Sequence, residues 1–363
     1  MSSYEIREAL EADDGAILNL IRQSPQPGRV VLNFEREPSF HAGARVTCEQ
    51  PDIWVAIDKK SGEYAALANI GRRALYVNGE RHNIRYAHDL RVADRYRGTL
   101  VMVRMFRGLK TLVAPNEWMQ TVILAENEKS LSTVGSGRAG LPNYFPCGDI
   151  VTHLVFAAPL VPIKHDLTIR RANAADLPSM QALLDDQGPK RQFFPCYDLK
   201  KVLEGNSYYK DIKIENYWLA WRGEVLEGVV GVWDQKSFKQ TRLVQYPRGL
   251  SWLRHVYNAW TFLFGGMRLP AAGGVISYRT LHTVVTRGDQ PNVLAALVEP
   301  IAHRARQARI AVVCAFFSND PMREAMKKFR TQTLSSKHFL MSFDADPRAD
   351  LDDRIPYVEV ARL

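Results

Sequence analysis

The sequence predicts a mixed α/β (α+β) protein built as a tandem duplication, each half a mixed central sheet with helices on both faces. Two echoes within the chain carry this expectation. Tyr4-Glu-Ile-Arg-Glu-Ala reads as a short strand, after which Asp13 is expected to cap a helix bearing Ile17, Leu18, Leu20 and Ile21. The pattern returns at Leu167-Thr-Ile-Arg-Arg-Ala, followed by Asp176 and a helix with Met180, Leu183 and Leu184. Aligned, Ile6, Arg7, Ala9, Ala12, Asp13 and Leu20 recur as Ile169, Arg170, Ala172, Ala175, Asp176 and Leu183. The second echo, Ile53-Trp-Val-Ala against Tyr217-Trp-Leu-Ala, opens a strand pair in each half, 53–58 with 63–70 and 217–221 with 225–233.

The remaining elements follow in the same order. Residues 86–92 alternate like a half-buried strand, and residues 100–109 place Val101, Met105 and Leu109 at helical spacing with Arg104 and Arg107 between them. Residues 121–125 are the next strand, Asn127 begins a short helix, and residues 150–157 are expected to close the sheet of the first half. The second half answers with strand 281–285, a helix after Pro291, strand 311–317, a helix over 319–328 and strand 339–343. Pro159, Pro162 and Lys164 mark the connection, dividing the chain into residues 1–160 and 166–363. Residues 251–264, dense in aromatics, belong to the second half alone. Trp252, Val256, Trp260 and Leu263 share one face, expected to pack on its own sheet or on the other half, with a membrane-surface or partner-binding helix as the alternative.

Composition narrows the class. The 363 residues suffice for two domains, and 46% apolar with 24% charged describes a soluble protein with a sizeable core. The polar, acidic start shows no secretory leader, and no membrane span is expected. Cys48, Cys147, Cys196 and Cys314 are far apart, which argues against a zinc site or disulfide framework and fits a cytoplasmic location. The histidines form no metal-binding pair, so no metal is expected. The net charge of +9 is spread along the chain, which favours a basic enzyme with an anionic cofactor over a nucleic-acid partner.

The stretch from Tyr86 to Lys110 is the chemical centre of the sequence. A strand that turns through Arg97-Gly98 into a helix leaves backbone N–H donors and a helix dipole facing outward, a setting for phosphate or pyrophosphate. The order strand, Val92-x-x-x-Tyr96-Arg97-Gly98, helix resembles motif A of the GNAT (GCN5-related N-acetyltransferase) superfamily, which binds acetyl-CoA through an R-x-x-G-x-G/A loop. Leu100 and Met102 depart from it, standing where the motif glycines would be.

The resemblance implies a GNAT fold in both halves and N-acyl transfer from acetyl-CoA, or another acyl-CoA, to a small-molecule or peptide amine. Its implied cofactor contacts are Leu90, Arg91 and Val92 on the strand, with a backbone N–H there on the thioester carbonyl. Arg97, Gly98, Thr99, Leu100, Val101 and Met102 follow at the turn and helix start, and then Asn127. Asn127 matches the asparagine of the family's N-x-x-A-x-x-x-Y, with Ser130 and Val134 replacing the alanine and tyrosine.

For the base that accepts the amine proton, His88, Asp89 and Tyr86 are the titratable candidates. Strand alternation sets Tyr86 and His88 on one face and Asp89 on the other, so the three are not expected in one cleft. Tyr144 is the nearest substitute for the acid, against the plainer reading of an ordinary loop tyrosine. In the second half Asp289 brings negative charge to the matching turn, so no CoA site is expected there. A different class, a catalytically silent acyl-CoA-binding or scaffolding protein of the same fold, is motivated by Leu100, Met102 and Val134.

Overall fold

In the computed structural model the described residues are 3–26, 28, 30–127, 140–247 and 250–363. The first half runs β1 (Tyr4–Glu8), α1 (Asp14–Gln23), β2 (Val31–Glu35), α2 (Phe40–Thr47), β3 (Ile53–Asp58), β4 (Tyr64–Asn69) and β5 (Arg72–Val77). It continues with β6 (Glu80–Tyr86), β7 (His88–Val92), α3 (Val101–Lys110), β8 (Trp118–Leu124) and β9 (Asn143–Ala157). The second half runs β10 (Thr168–Arg171), α4 (Leu177–Gln187), β11 (Tyr217–Arg222), β12 (Val225–Trp233), β13 (Gln240–Gln245) and α5 (Leu250–Phe264). β14 (Tyr278–Thr286), α6 (Pro291–Ala308), β15 (Ala311–Phe317) and β16 (Arg330–Ser342) complete it. Residues 319–328, expected as a helix, form a 3₁₀ segment from Pro321 to Lys328.

The duplicated openings are the same structure twice. Arg7 holds Asp13 through two hydrogen bonds of 2.7 and 2.9 Å, and Arg170 holds Asp176 through two of 2.7 and 2.6 Å. In both copies the aspartate also accepts the backbone N–H three residues back, from Leu10 and from Asn173. Asp13 therefore occupies the N-cap position of α1 but turns its carboxylate backward, where a bidentate guanidinium offers the stronger partner.

Alternation along the strands places helices on both faces of each half. Ile53, Val55 and Leu67 pack against Ile17, Leu18, Ile21 and Phe40 of α1 and α2. Their neighbours Ala56, Ala66 and Ala68 face Val101, Met105 and Leu109 of α3. The second half repeats this, with Leu219 and Val229 toward α4 and Ala220, Val230 and Leu281 toward α6.

The sheets depart from the expected plan in one respect. β1, β3, β4 and β7 form one sheet, β2 and β13 a two-stranded second, and the third and largest runs β10-β11-β12-β14-β15-β9-β16-β8-β6-β5. β9, expected to close the first half, pairs with β15 of the second (Val312↔Val155 to Phe317↔Ile150). β16 in turn pairs with β8 of the first half (Ser336↔Leu124 to Ser342↔Trp118). β9 and β16 run antiparallel to each other from Arg330↔Ala157 to Ser342↔Asn143, so β16 is far longer than the five residues expected. Each half thus gives its last strand to the other. A further inter-half pair, β2 with β13, was not foreseen.

The exchange makes a separation experiment informative. Residues 1–160 expressed alone would leave β8 an unpaired edge and β9 without either ladder partner, a state prone to association. We expect an aggregated or oligomeric fragment by size-exclusion chromatography. A monomeric fragment as stable as the whole chain would show that the exchange is dispensable.

Burial also sets an acid limit on stability. His338 lies between the rings of Phe193 and Phe317, and burial lowers its pKa to about 3; burial lowers that of His153 to about 4. His282 and His88 are shifted down by the same cause. The unfolded chain takes up protons on these rings near pH 6.5 while the folded chain does not, so stability is full above that pH and is lost as pH falls below it. The melting temperature should drop by roughly 5–10 °C between pH 7 and pH 5 in scanning calorimetry. A flat profile would mean the rings are protonated in the native state.

Candidate functional site

In each half two parallel strands pair briefly and then part. In the first half β6 pairs with β8 only at Arg85↔Met119 and Tyr86↔Gln120, and Ala87 N adds a last bond to Gln120 O. Beyond it the chain continues as β7 alongside β4. In the second half β14 pairs with β15 only at Tyr278↔Ala311, Arg279↔Val312 and Thr280↔Val313. Just past each parting is a bulge. Leu67 and Asn69 face Arg91 and His88, while Val229 and Gly231 face Val285 and His282. The extra residues carry positive φ, +51° at Asp89 and +54° at Thr283. Neither is glycine, so the ladder around them holds a conformation the side chain disfavours.

The bulge overturns one expectation from strand alternation. His88 stacks on Tyr86 as expected, with ring centroids 5.1 Å apart. The left-handed turn at Asp89, however, swings its carboxylate back to the same side, where Oδ2 lies 3.0 Å from His88 Nδ1 and 2.6 Å from Arg36 Nε. Burial acts to raise the Asp89 pKa, but Arg36 and then His88 outweigh it and hold the carboxyl well below the usual range. Burial keeps His88 neutral at pH 7. The ionised Asp89 requires a donor, which puts the ring proton on Nδ1 and leaves the lone pair on Nε2.

That lone pair faces Cys48 Sγ at 3.7 Å, so cysteine, histidine and aspartate stand in line. The thiol is not activated, because burial pushes its pKa up to about 12. Nearby, Arg91 is buried with its Nε unpartnered. Burial lowers Lys239, beside Arg36 and Asp89, to about 7. Lys239 Nζ donates to the Leu363 carbonyl O, which sets second-half residues near this cluster.

The turn after β7 is a separate neighbourhood. Gly98 has φ +78°, Thr99 Oγ1 accepts from Val101 N at 3.3 Å, and α3 begins at Val101. Arg97 is half-exposed and paired with Asp94 at 2.9 Å; Leu100 is exposed. Leu90, Val92 and Met102 sit with Tyr144 at the edge of the α3 core, on the face opposite His88. Tyr144 is in strand β9 and not in a loop; its ring packs edge-on to Phe339, and burial raises its pKa. Asn127 lies beside Gln26, at 3.2 Å. Ser130, Val134 and the helix expected there lie outside the described residues. The structure therefore gathers His88, Asp89 and Tyr86, groups Leu90, Val92, Met102 and Tyr144 separately, and puts Arg97, Gly98, Thr99 and Leu100 at the mouth of α3.

The second cleft repeats the histidine and fills the rest. His282 Nδ1 lies 2.6 Å from Thr283 Oγ1, a hydroxyl in place of the Asp89 carboxylate. The bulge donors are occupied: Thr283 N donates to Glu359 Oε2 at 2.8 Å and Val284 N to the Tyr357 hydroxyl at 3.1 Å. At the turn, Gly288 N donates to Gln187 Oε1 and Gln290 N to Thr286 Oγ1. Arg191, bridging Asp289 and Asp320, neutralises the charge that Asp289 brings. Among the described residues no side chain bonds the N–H of Asp89 or Leu90, the first-half counterparts of Thr283 and Val284.

This fold is similar to that of solved structures. A GCN5-related N-acetyltransferase from Sphaerobacter thermophilus superposes on 99% of this chain and 99% of its own, with 14% identity and a TM-score of 0.53. An N-myristoyltransferase from Saccharomyces cerevisiae with bound myristoyl-CoA superposes on 99% of this chain and 90% of its own, with 11% identity and a TM-score of 0.58. The chain has the GNAT fold, in tandem. The sequence itself matches no protein-family model and no curated protein.

Within this GNAT fold, sequence reasoning missed Arg36, Cys48 and Lys239, which reach the Asp89 cluster from distant elements, and Glu359 with Tyr357, which fill the second cleft. None lies in a motif. The one available signal was the pair of His-then-polar bulges, His88-Asp89 and His282-Thr283, which the repeat would have aligned. Among the described residues no group of histidines, cysteines and acids could hold a metal, and no helix is long and apolar enough to cross a membrane.

Cys48 offers a direct check on this cleft. It should resist a thiol reagent in the native state and react only on unfolding, while half-buried Cys147 and Cys196 are modified first. Cys48→Ala should cost only about 1 kcal/mol of stability. Native modification of Cys48 by mass spectrometry would mean the line of cysteine, histidine and aspartate opens to solvent as a nucleophile set.

Proposed function

We propose that the protein is an acyl-CoA-dependent N-acyltransferase whose single working site is in the first half, residues 1–160, with residues 166–363 serving as a second, filled copy that walls the acceptor side. One observation carries the reading: the two clefts share the parting and the bulge, yet side chains occupy the bulge donors only in the second. We therefore place the ligand at the first-half bulge, whose N–H groups no side chain bonds among the described residues. The acyl thioester would lie against the bulge, its carbonyl toward the N–H groups of Asp89 and Leu90, with Arg91 and Val92 continuing the strand beside it. Its pyrophosphate would lie at Arg97 to Met102, where helix donors and Arg97 supply positive potential.

In the reaction the amine nitrogen bonds to the thioester carbonyl carbon, the carbon–sulfur bond breaks and CoA leaves as thiolate. The amine proton is taken by the His88–Asp89 pair or by solvent, and the thiolate is protonated by Tyr144 or by solvent. The neighbour with bound myristoyl-CoA supports acyl-CoA as co-substrate and leaves chain length open. Acetyl-CoA is the starting probe.

Acetyl-CoA at millimolar concentration should raise the melting temperature by linkage to the native state, and Arg97→Glu should abolish the rise without changing the unliganded value. No shift with acetyl-CoA or a longer acyl-CoA would end the cofactor reading. Binding without release of free CoA thiol across amine acceptors would favour a silent binding protein, the reading that Leu100 and Met102 support.

A further inference from the structure

Helix α5 is built inside out. Its polar side faces the protein: Asn258 exchanges hydrogen bonds with the backbone of Leu269 at 2.9 and 2.8 Å, and Thr261 is buried. The Arg309 guanidinium donates to Asn258 O at 2.9 Å and to Thr261 Oγ1 at 3.3 Å, tying the helix down through polar bonds. Its apolar side faces out. Trp252 is 64% exposed, Val256 58% and Phe262 72%, with Leu253 and Trp260 also exposed. The expectation that this face packs on a sheet or on the other half is therefore corrected. The spacing of Trp252, Val256 and Trp260 is that of one face, but the anchoring groups are on the other side.

The stretch of chain that carries the helix has charge of one sign. No aspartate or glutamate occurs from residue 235 to residue 288. Arg254 is on the helix itself, Arg306 packs against Gly265 at its end, and the backbone of Arg268 bonds that of Arg309. Arg330 lies over the Trp260 ring at 4.6 Å and Arg309 over that of Phe262 at 5.5 Å. None of these five arginines is in an ion pair among the described residues.

We propose that α5 docks the protein onto an anionic lipid surface, lying in the plane of the headgroups with Trp252, Val256 and Phe262 inserted and the arginines on lipid phosphates. Aromatic side chains favour that interface, and basic groups around an apolar helical face add attraction to acidic lipid. A second copy of the chain fits the same face poorly. A two-fold pairing of this face with itself would bring Arg254 and Arg330, which have no acidic partner among the described residues, against their own counterparts.

The test is flotation of the full-length protein with vesicles of phosphatidylcholine alone or with about a third phosphatidylglycerol, at about 0.15 M salt. Binding should require phosphatidylglycerol and be released by about 1 M salt. Trp252→Ser with Phe262→Ser, both solvent-facing, should weaken binding at least about tenfold at an unchanged melting temperature. Arg254→Glu with Arg330→Glu should weaken it similarly and lessen its salt dependence. Failure to float with phosphatidylglycerol vesicles would overturn the proposal. So would a dimer in sedimentation equilibrium that the Trp252→Ser, Phe262→Ser variant dissolves, since a second copy would then cover the face.

Discussion

The antiparallel ladder between β9 and β16 is the pairing on which the rest of the molecule depends. It lies at the centre of the largest sheet, and each strand also pairs outward with the other half, β9 with β15 and β16 with β8. Without the exchange, β8 and β15 would present rows of unpaired backbone donors and acceptors. The exchange also reaches the cores. Met341 of β16 is buried against α3, and Val155 of β9 is buried against α6. Neither half completes its hydrophobic interior from its own residues alone.

On that shared frame the two clefts have diverged chemically while keeping one geometry. Both hold a histidine before a bulged residue. In the first, the bulged residue is an anion balanced by Arg36, with Arg91 buried nearby. In the second it is a threonine, and the acidic group nearby is Glu359, which satisfies a backbone donor instead of an arginine. Burying an ion pair costs desolvation, so the Arg36–Asp89 pair is better understood as fixing the His88 ring than as adding stability.

The parts that could be read from sequence were those whose causes are local. The recurrence of Arg7 and Asp13 as Arg170 and Asp176 was legible, though their ion pairing in place of a cap was not, and Ile17 to Ile21 and Val101 to Leu109 bury along helical spacing. The exchange was hidden because β9 has the alternation of any half-buried strand, and alternation does not say which neighbour a strand will find. The bulge was hidden because aspartate and threonine carry none of the glycine signal that usually marks positive φ. Arg36 and Cys48 reach His88 and Asp89 through tertiary packing, which no spacing rule encodes. For α5 the period was legible but its sense was not, since burial was assigned to the apolar side and Asn258 and Thr261 took it instead.

The exchange of strands also bears on how the molecule is made. A ribosome delivers β8 more than two hundred residues before it delivers the β16 segment that pairs with it, as Thr121 opposite Phe339 shows. Throughout that interval β8 lacks its β16 partner, and β2 and β9 wait in turn for β13 and β15. Pairings this distant in sequence close slowly. The nascent chain must keep its own β8 and β9 from the neighbouring polysome chains, which carry the same vacant edges and the same complementary strands.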